Sequence, residues 1–172
     1  MNIILFLQNF FPKKKRETKN IKKIFFSFGG YDQKKIKDKL LSFLENNKNS
    51  YFTKMIYLNQ KKFEKRSNFF KSMIQSDLVI CSGGLTMFDA INLNKITIVT
   101  PQFKHQIKNI LRMKKKGTII YLKNINKSNF DKVLIELNDK KKINNLNQNM
   151  TKYNKLDKMN IIINKIYRLY AN

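Results

Sequence analysis

The chain holds one cysteine and one histidine in 172 residues, and 11 acidic side chains against 36 Lys and Arg. A single thiol, Cys81, excludes an intramolecular disulfide and leaves no Cys/His set for a zinc cluster, so no metal is expected. Such cysteine usage goes with a reduced, cytoplasmic setting. Long hydrophobic runs are also scarce. The opening MNIILFLQNFF (1–11) is too short to span a bilayer. Its basic residues, KKKR (13–16), follow the apolar stretch, whereas a secretion signal carries them in front. There is no repeat of 20–50 residues, no G-x-G-x-x-G or Walker loop, and no RRM or KH signature.

What the chain does have is enough apolar material for one core: 42% hydrophobic and 12% aromatic residues. Its formal charge is +25. That field draws anionic ligands or acidic lipid headgroups toward the surface. Lys far exceeds Arg, however, and a dedicated nucleic-acid reader favours the planar fork of Arg. A compositional bias toward Lys, Asn and Ile explains the charge more simply, and no specific nucleic acid is expected.

Apolar runs at 1–11, 21–30 (ending in two glycines), 53–58, 77–81, 95–100 and 118–122 read as strands. Between them lie helical patterns at 33–46 (capped by Asp32), 67–76, 85–92, 107–115 (after the loop 101–106) and 129–139, and a last helix is read at 161–170 in the basic, Asn-rich tail. Strands alternating with helices through short loops, each strand apolar throughout, predict an α/β fold with a parallel sheet covered on both faces. Residues 1–20 read as a strand and basic linker, and 21–172 as the domain.

The chemistry concentrates in CSGGLTMFDA (81–90). In open α/β sheets ligands bind beyond the carboxyl ends of the strands. Gly83 and Gly84 remove two side chains there, so backbone amides can approach an oxyanion. The helix from Leu85 adds unpaired N–H groups and its positive dipole end. Ser82 and Thr86 offer hydroxyls to the same oxygens. Thr86 and Asp89, three residues apart, share a face distinct from the core face of Met87, Ala90 and Ile91. A ribose on the bound phosphate would meet the Asp89 carboxylate. The plainer reading is a tight turn followed by a solvated acid, and spacing alone leaves both open. Cys81, Phe69 and Phe70 read as core, and Lys114 to Lys116 as a solvated helix end.

The span SDLVICSGGLTMFDAINLNKITIVTPQFKHQ (76–106) resembles the C-terminal nucleotide-sugar-binding half of GT-B glycosyltransferases. It is most similar to the branch with the family 28 UDP-N-acetylglucosamine transferases and the UDP-sugar hydrolase of pseudaminic acid synthesis. KKIFFSFGGYD (22–32) is similar to the strand and loop that open that half. The resemblance implies a Rossmann-like domain of GT-B C-terminal type, with a UDP-sugar as substrate and no bound cofactor. It implies that Ser82, Gly83, Gly84, Leu85 and Thr86 hold the diphosphate and that Asp89 stands for the family's ribose-binding Glu. Gln102, His105 and Gln106 would reach the sugar or phosphates, with Gly29 and Gly30 lining the cleft opposite. His105 is the only catalytic candidate, though a lone loop histidine is more often a polar contact. Asn94-Lys95 departs from the family's Gly-x-Pro turn.

The resemblance also implies an N-terminal half that binds the acceptor, for which 172 residues leave no room. The expectation is therefore the donor-binding half of a UDP-sugar-dependent transferase or hydrolase, glycosyltransferase-like but incomplete alone. A second domain or subunit would complete it, at a cytoplasmic site or the inner face of the membrane. The competing expectation is a basic α/β protein holding RNA or an anionic membrane surface without enzymatic activity.

Overall fold

The computed structural model describes residues 21–29, 32, 34–45, 56–59 and 66–155. The expected strand at 1–11, the linker at 12–20 and the terminal helix at 161–170 lie outside them. Five strands, β1 (Lys23–Ser27), β2 (Ile56–Asn59), β3 (Leu78–Cys81), β4 (Ile96–Val99) and β5 (Ile120–Tyr121), form one sheet. Every pairing is parallel, in the order β2-β1-β3-β4-β5. Among the described residues six helices accompany them: α1 (Ile36–Glu45), α2 (Arg66–Gln75), α3 (Leu85–Asn92), α4 (Gln106–Lys115), α5 (Lys127–Glu136) and α6 (Lys140–Lys155). The α/β architecture with a doubly covered parallel sheet is the one the strand–helix alternation predicts.

Alternate residues of each strand feed opposite faces. Ile24, Phe26, Leu78, Ile80, Ile96, Ile98 and Ile120 meet Leu40 and Leu44 of α1, Phe130 and Leu134 of α5, and Ile143 and Leu146 of α6. Phe25, Val79, Cys81 and Val99 meet Met73 of α2, Met87 and Ile91 of α3, Ile110 and Met113 of α4, and Met150 of α6. Burying a side chain of this size contributes about 1.5–3 kcal/mol. The sheet interior is therefore where stability concentrates.

Several boundaries differ from the expected ones, each for a specific physical reason. The helix expected from 33 begins at Ile36, because Lys35 adopts φ 47°. Asp32 still serves the helix start, its carboxylate accepting from the Lys37 N–H at 2.8 Å. Lys95 does not open β4. Its side chain turns inward and donates from Nζ to the carbonyls of Ile74 (2.5 Å) and Ser76 (2.7 Å), capping the end of α2. Helix α5 starts two residues early, because Asn126 caps it by accepting from the Asn129 N–H. The expected strand 118–122 shortens to two residues, as Thr118 still donates back to Met113 at the end of α4. Helix α6 was hidden in the Lys/Asn-rich tail. Its buried Ile143, Leu146 and Met150 fall at i, i+3 and i+7, the one periodic signal in that stretch.

Candidate functional site

The chain lays β1 and β2 on one side and then returns to place β3 on the other side of β1. Between β1 and β3 the helical connections diverge, leaving the crevice that open α/β sheets use for ligands. The strand ends are held together there. Ser82 N–H donates to the Ser27 carbonyl at 3.3 Å, and Thr100 N–H to the Cys81 carbonyl at 3.1 Å. The Ser27 and Thr86 hydroxyls lie 3.4 Å apart, turning the Thr86 face of α3 toward β1. The Thr100 hydroxyl, at the end of β4, is buried and has no partner among the described residues. Sequence reading passed it over.

The two glycines after β3 are unlike. A Cβ on Gly83 would sit 2.5 Å from Ile110 Cγ1 and 3.1 Å from Gln106 Cβ, so that position is bare because α4 packs on it. A Cβ on Gly84 would meet nothing closer than 3.9 Å. Gly84 is also the N-cap of α3, with φ −92° and no side-chain cap. Packing therefore does not demand this glycine. Among the described residues nothing accepts from the N–H groups of Gly84, Leu85 or Thr86. Uncapped amides at a helix start carry the positive end of the dipole.

Leu85 opens α3 at 81% exposure. Asp89 is half-buried one turn below Thr86, on a face apart from the buried Met87, Ala90 and Ile91. Its charge is felt at the end of β3: burial first, and then the Asp89 carboxylate, push the Cys81 thiol up. A thiol held protonated in the core is no nucleophile.

The loop between β4 and α4 closes the other side. Gln102 and Gln106 are buried, and Gln106 Oε1 accepts from the Gln102 N–H at 2.9 Å. Gln102 Nε2 donates to Asp32 Oδ1 at 3.3 Å. That bond joins the loops from β1 and β4, the strands that flank β3, and gives Asp32 a part in the site that sequence reading assigned only to a helix cap. Gln106 also touches the glycine loop, its Nε2 lying 4.0 Å from the Cβ position of Gly84. His105 is different. It is exposed and stacks on the Phe103 ring, centroids 5.6 Å apart and planes 7° from parallel. Gly29 follows β1 in a left-handed conformation (φ 75°), and Gly30 lies outside the described residues. The structure thus brings Ser82, Gly83, Gly84, Thr86, Gln102 and Gln106 together around one crevice, with Leu85 exposed beside it and Asp89 one turn further along α3.

Over residues 5–166 the sequence matches the glycosyltransferase family 28 C-terminal domain. The chain belongs to that family. The fold agrees with two solved structures. One is a putative UDP-N-acetylglucosamine 2-epimerase from Listeria monocytogenes, with a TM-score of 0.56, 13% identity, and 83% of this chain covered against 45% of the other. The second is the glycotransferase of kitacinnamycin, with a TM-score of 0.55, 11% identity, and coverages of 88% and 45%. At such identities the likeness concerns the fold. The family 28 domain spans less than half the length of either. No curated protein matches the sequence.

Family membership bears on the Asn94-Lys95 departure. Asn94 takes φ 51°, the left-handed region in which Gly is otherwise preferred, and Asn is among the residues that tolerate it. Asn154 of α6 secures the turn, donating to the carbonyls of Ile91 and Asn92 and to Asn94 Oδ1. No group of three metal-ligating side chains occurs among the described residues, and no described helix is long and apolar enough to cross a membrane.

Proposed function

We propose that this family 28 domain is the donor-binding half of a UDP-sugar-dependent glycosyltransferase or UDP-sugar hydrolase. It would work in the biosynthesis of a cell-surface glycan or a sialic-acid-like sugar, in the cytoplasm. The observation that carries the reading is Gly84: a glycine that neither packing nor backbone conformation requires, set at the uncapped start of α3 in the switch-point crevice. Close approach of a ligand accounts for it. The amides of Gly84, Leu85 and Thr86, with the Ser82 and Thr86 hydroxyls, would hold the diphosphate. Asp89, one turn lower, would accept the vicinal hydroxyls of the ribose. As the bond to the diphosphate breaks, the same amides stabilise the charge that develops on it, the electrostatic role that commonly dominates such steps. Gln102 and Gln106 shape the loop above, and His105 on the same loop would contact the sugar.

The acceptor would come from a second domain or subunit, which the coverage of under half of the solved neighbours supports. The test is a thermal-shift screen of the purified chain against UDP, CMP, GDP and their sugars, with transfer and hydrolysis assays alongside. The expected result is stabilisation by uridine nucleotides and negligible turnover. Full turnover by the chain alone would contradict the need for a partner, and stabilisation by polyanions only would favour a binding protein without enzymatic activity.

A further inference from the structure

The nucleotide reading leaves the outer flank of α4 unused. Gln106, Ile110 and Met113 bury the inner side of this helix. Ile107 and Leu111 point away from it, 36% and 49% exposed, and four residues apart they share one flank. Phe103, 42% exposed, carries the same interval into the preceding turn. That turn is wound like a helix: the Gln106 N–H donates to the Phe103 carbonyl, and the Ile107 N–H to that of Lys104. A bias toward Lys, Asn and Ile does not explain Phe103 and Leu111 at exposed positions on the same flank as Ile107.

Their surroundings are cationic. Lys104, Lys108, Arg112, Lys114 and Lys115 are all exposed. Between Asp89 and Asp131 the sequence has no acidic residue and nine Lys and Arg. Protein interfaces deplete Lys at their cores. Lipid headgroups accept Lys readily, because its stem lies along the apolar boundary while the ammonium stays with phosphate. Exposed apolar side chains rimmed by cations are what holds a helix in the plane of an anionic bilayer. We propose that the Phe103–Ile107–Leu111 flank docks this protein on an anionic membrane surface, with lipid phosphate as the recognised group. Ile110 and Gln106 of the same helix pack on Gly83, so docking would hold the crevice beside the lipid headgroups.

The test is co-sedimentation of the full chain with phosphatidylcholine vesicles and with mixed phosphatidylcholine–phosphatidylglycerol vesicles. The wild type is expected to pellet with the mixed vesicles and to stay in solution with the neutral ones. Ile107→Asn/Leu111→Asn should lower its partition about tenfold or more, the scale of two apolar side chains withdrawn from lipid, and Lys108→Glu/Arg112→Glu should do the same. Phe103→Ser, outside the helix, provides an independent variant if a helical one fails to fold in a thermal melt. Ile135→Asn, 67% exposed on α5 over the opposite face of the sheet, should change nothing. Equal partition of wild type and flank variants overturns the proposal. So does retention on polyuridylate that mixed vesicles fail to compete. Vesicle binding does not depend on nucleotide, so it can fail while the nucleotide reading stands.

Discussion

At the scale of single residues, the pair Gly83-Gly84 separates packing from function. Gly83→Ala forces a methyl against Ile110, and overpacking of that kind costs about 1–3 kcal/mol. A lowered thermal midpoint is the expected outcome. Gly84→Ala meets open space and should leave the midpoint near that of the wild type. It should nonetheless weaken nucleotide binding about tenfold or more, since the methyl enters the path of the diphosphate, and tenfold is about 1.4 kcal/mol. Equal destabilisation by the two changes, or unchanged affinity in Gly84→Ala, would remove the distinction. Sequence reading gave both glycines one role. The difference was not legible because Ile110 lies on another helix, and nothing local marks it as the neighbour of Gly83. Gln102 and Gln106 show the same limit: their positions near the crevice were readable, but their bonds to Asp32 and to each other were not.

At the scale of elements, agreement follows how locally each boundary is set. Helix α3 runs from Leu85 to Asn92, the limits its sequence pattern predicts, because the apolar strand, the glycines and the helical spacing all lie within 16 residues. Strand β4 starts after Lys95, where distant contacts decide. Lys95 reaches back about 20 residues to close the carbonyl end of α2, a contact no local pattern announces. Lys95→Met keeps the stem and removes the donors, leaving the carbonyls of Ile74 and Ser76 short of partners. A buried acceptor left unsatisfied costs about 1–3 kcal/mol. The urea midpoint of Lys95→Met should therefore fall by a matching amount. A midpoint equal to the wild type would show that the cap contributes nothing. Nucleotide affinity, corrected for the folded fraction, should hold, since Lys95 lies at the opposite end of β4 from the crevice.

At the scale of the whole molecule, the order β2-β1-β3-β4-β5 does the decisive work. It sets the switch point between β1 and β3 and brings Ser27, Ser82 and Thr86 to one crevice from residues up to 59 positions apart. The alternation of strands and helices was legible in the sequence, since the strands are continuous apolar runs. The strand order was not, because nothing in a strand's own residues names its neighbours. The net charge of +25 favours anions of every kind. Selectivity must then come from geometry. The most direct measurement is a calorimetric titration of UDP into the wild type and Asp89→Ala at low and moderate salt. UDP is expected to bind, Asp89→Ala to weaken binding about tenfold or more by losing the ribose contact, and added salt to have a modest effect. Binding that ignores Asp89→Ala and collapses as salt rises, or no binding by the wild type, would contradict the nucleotide reading.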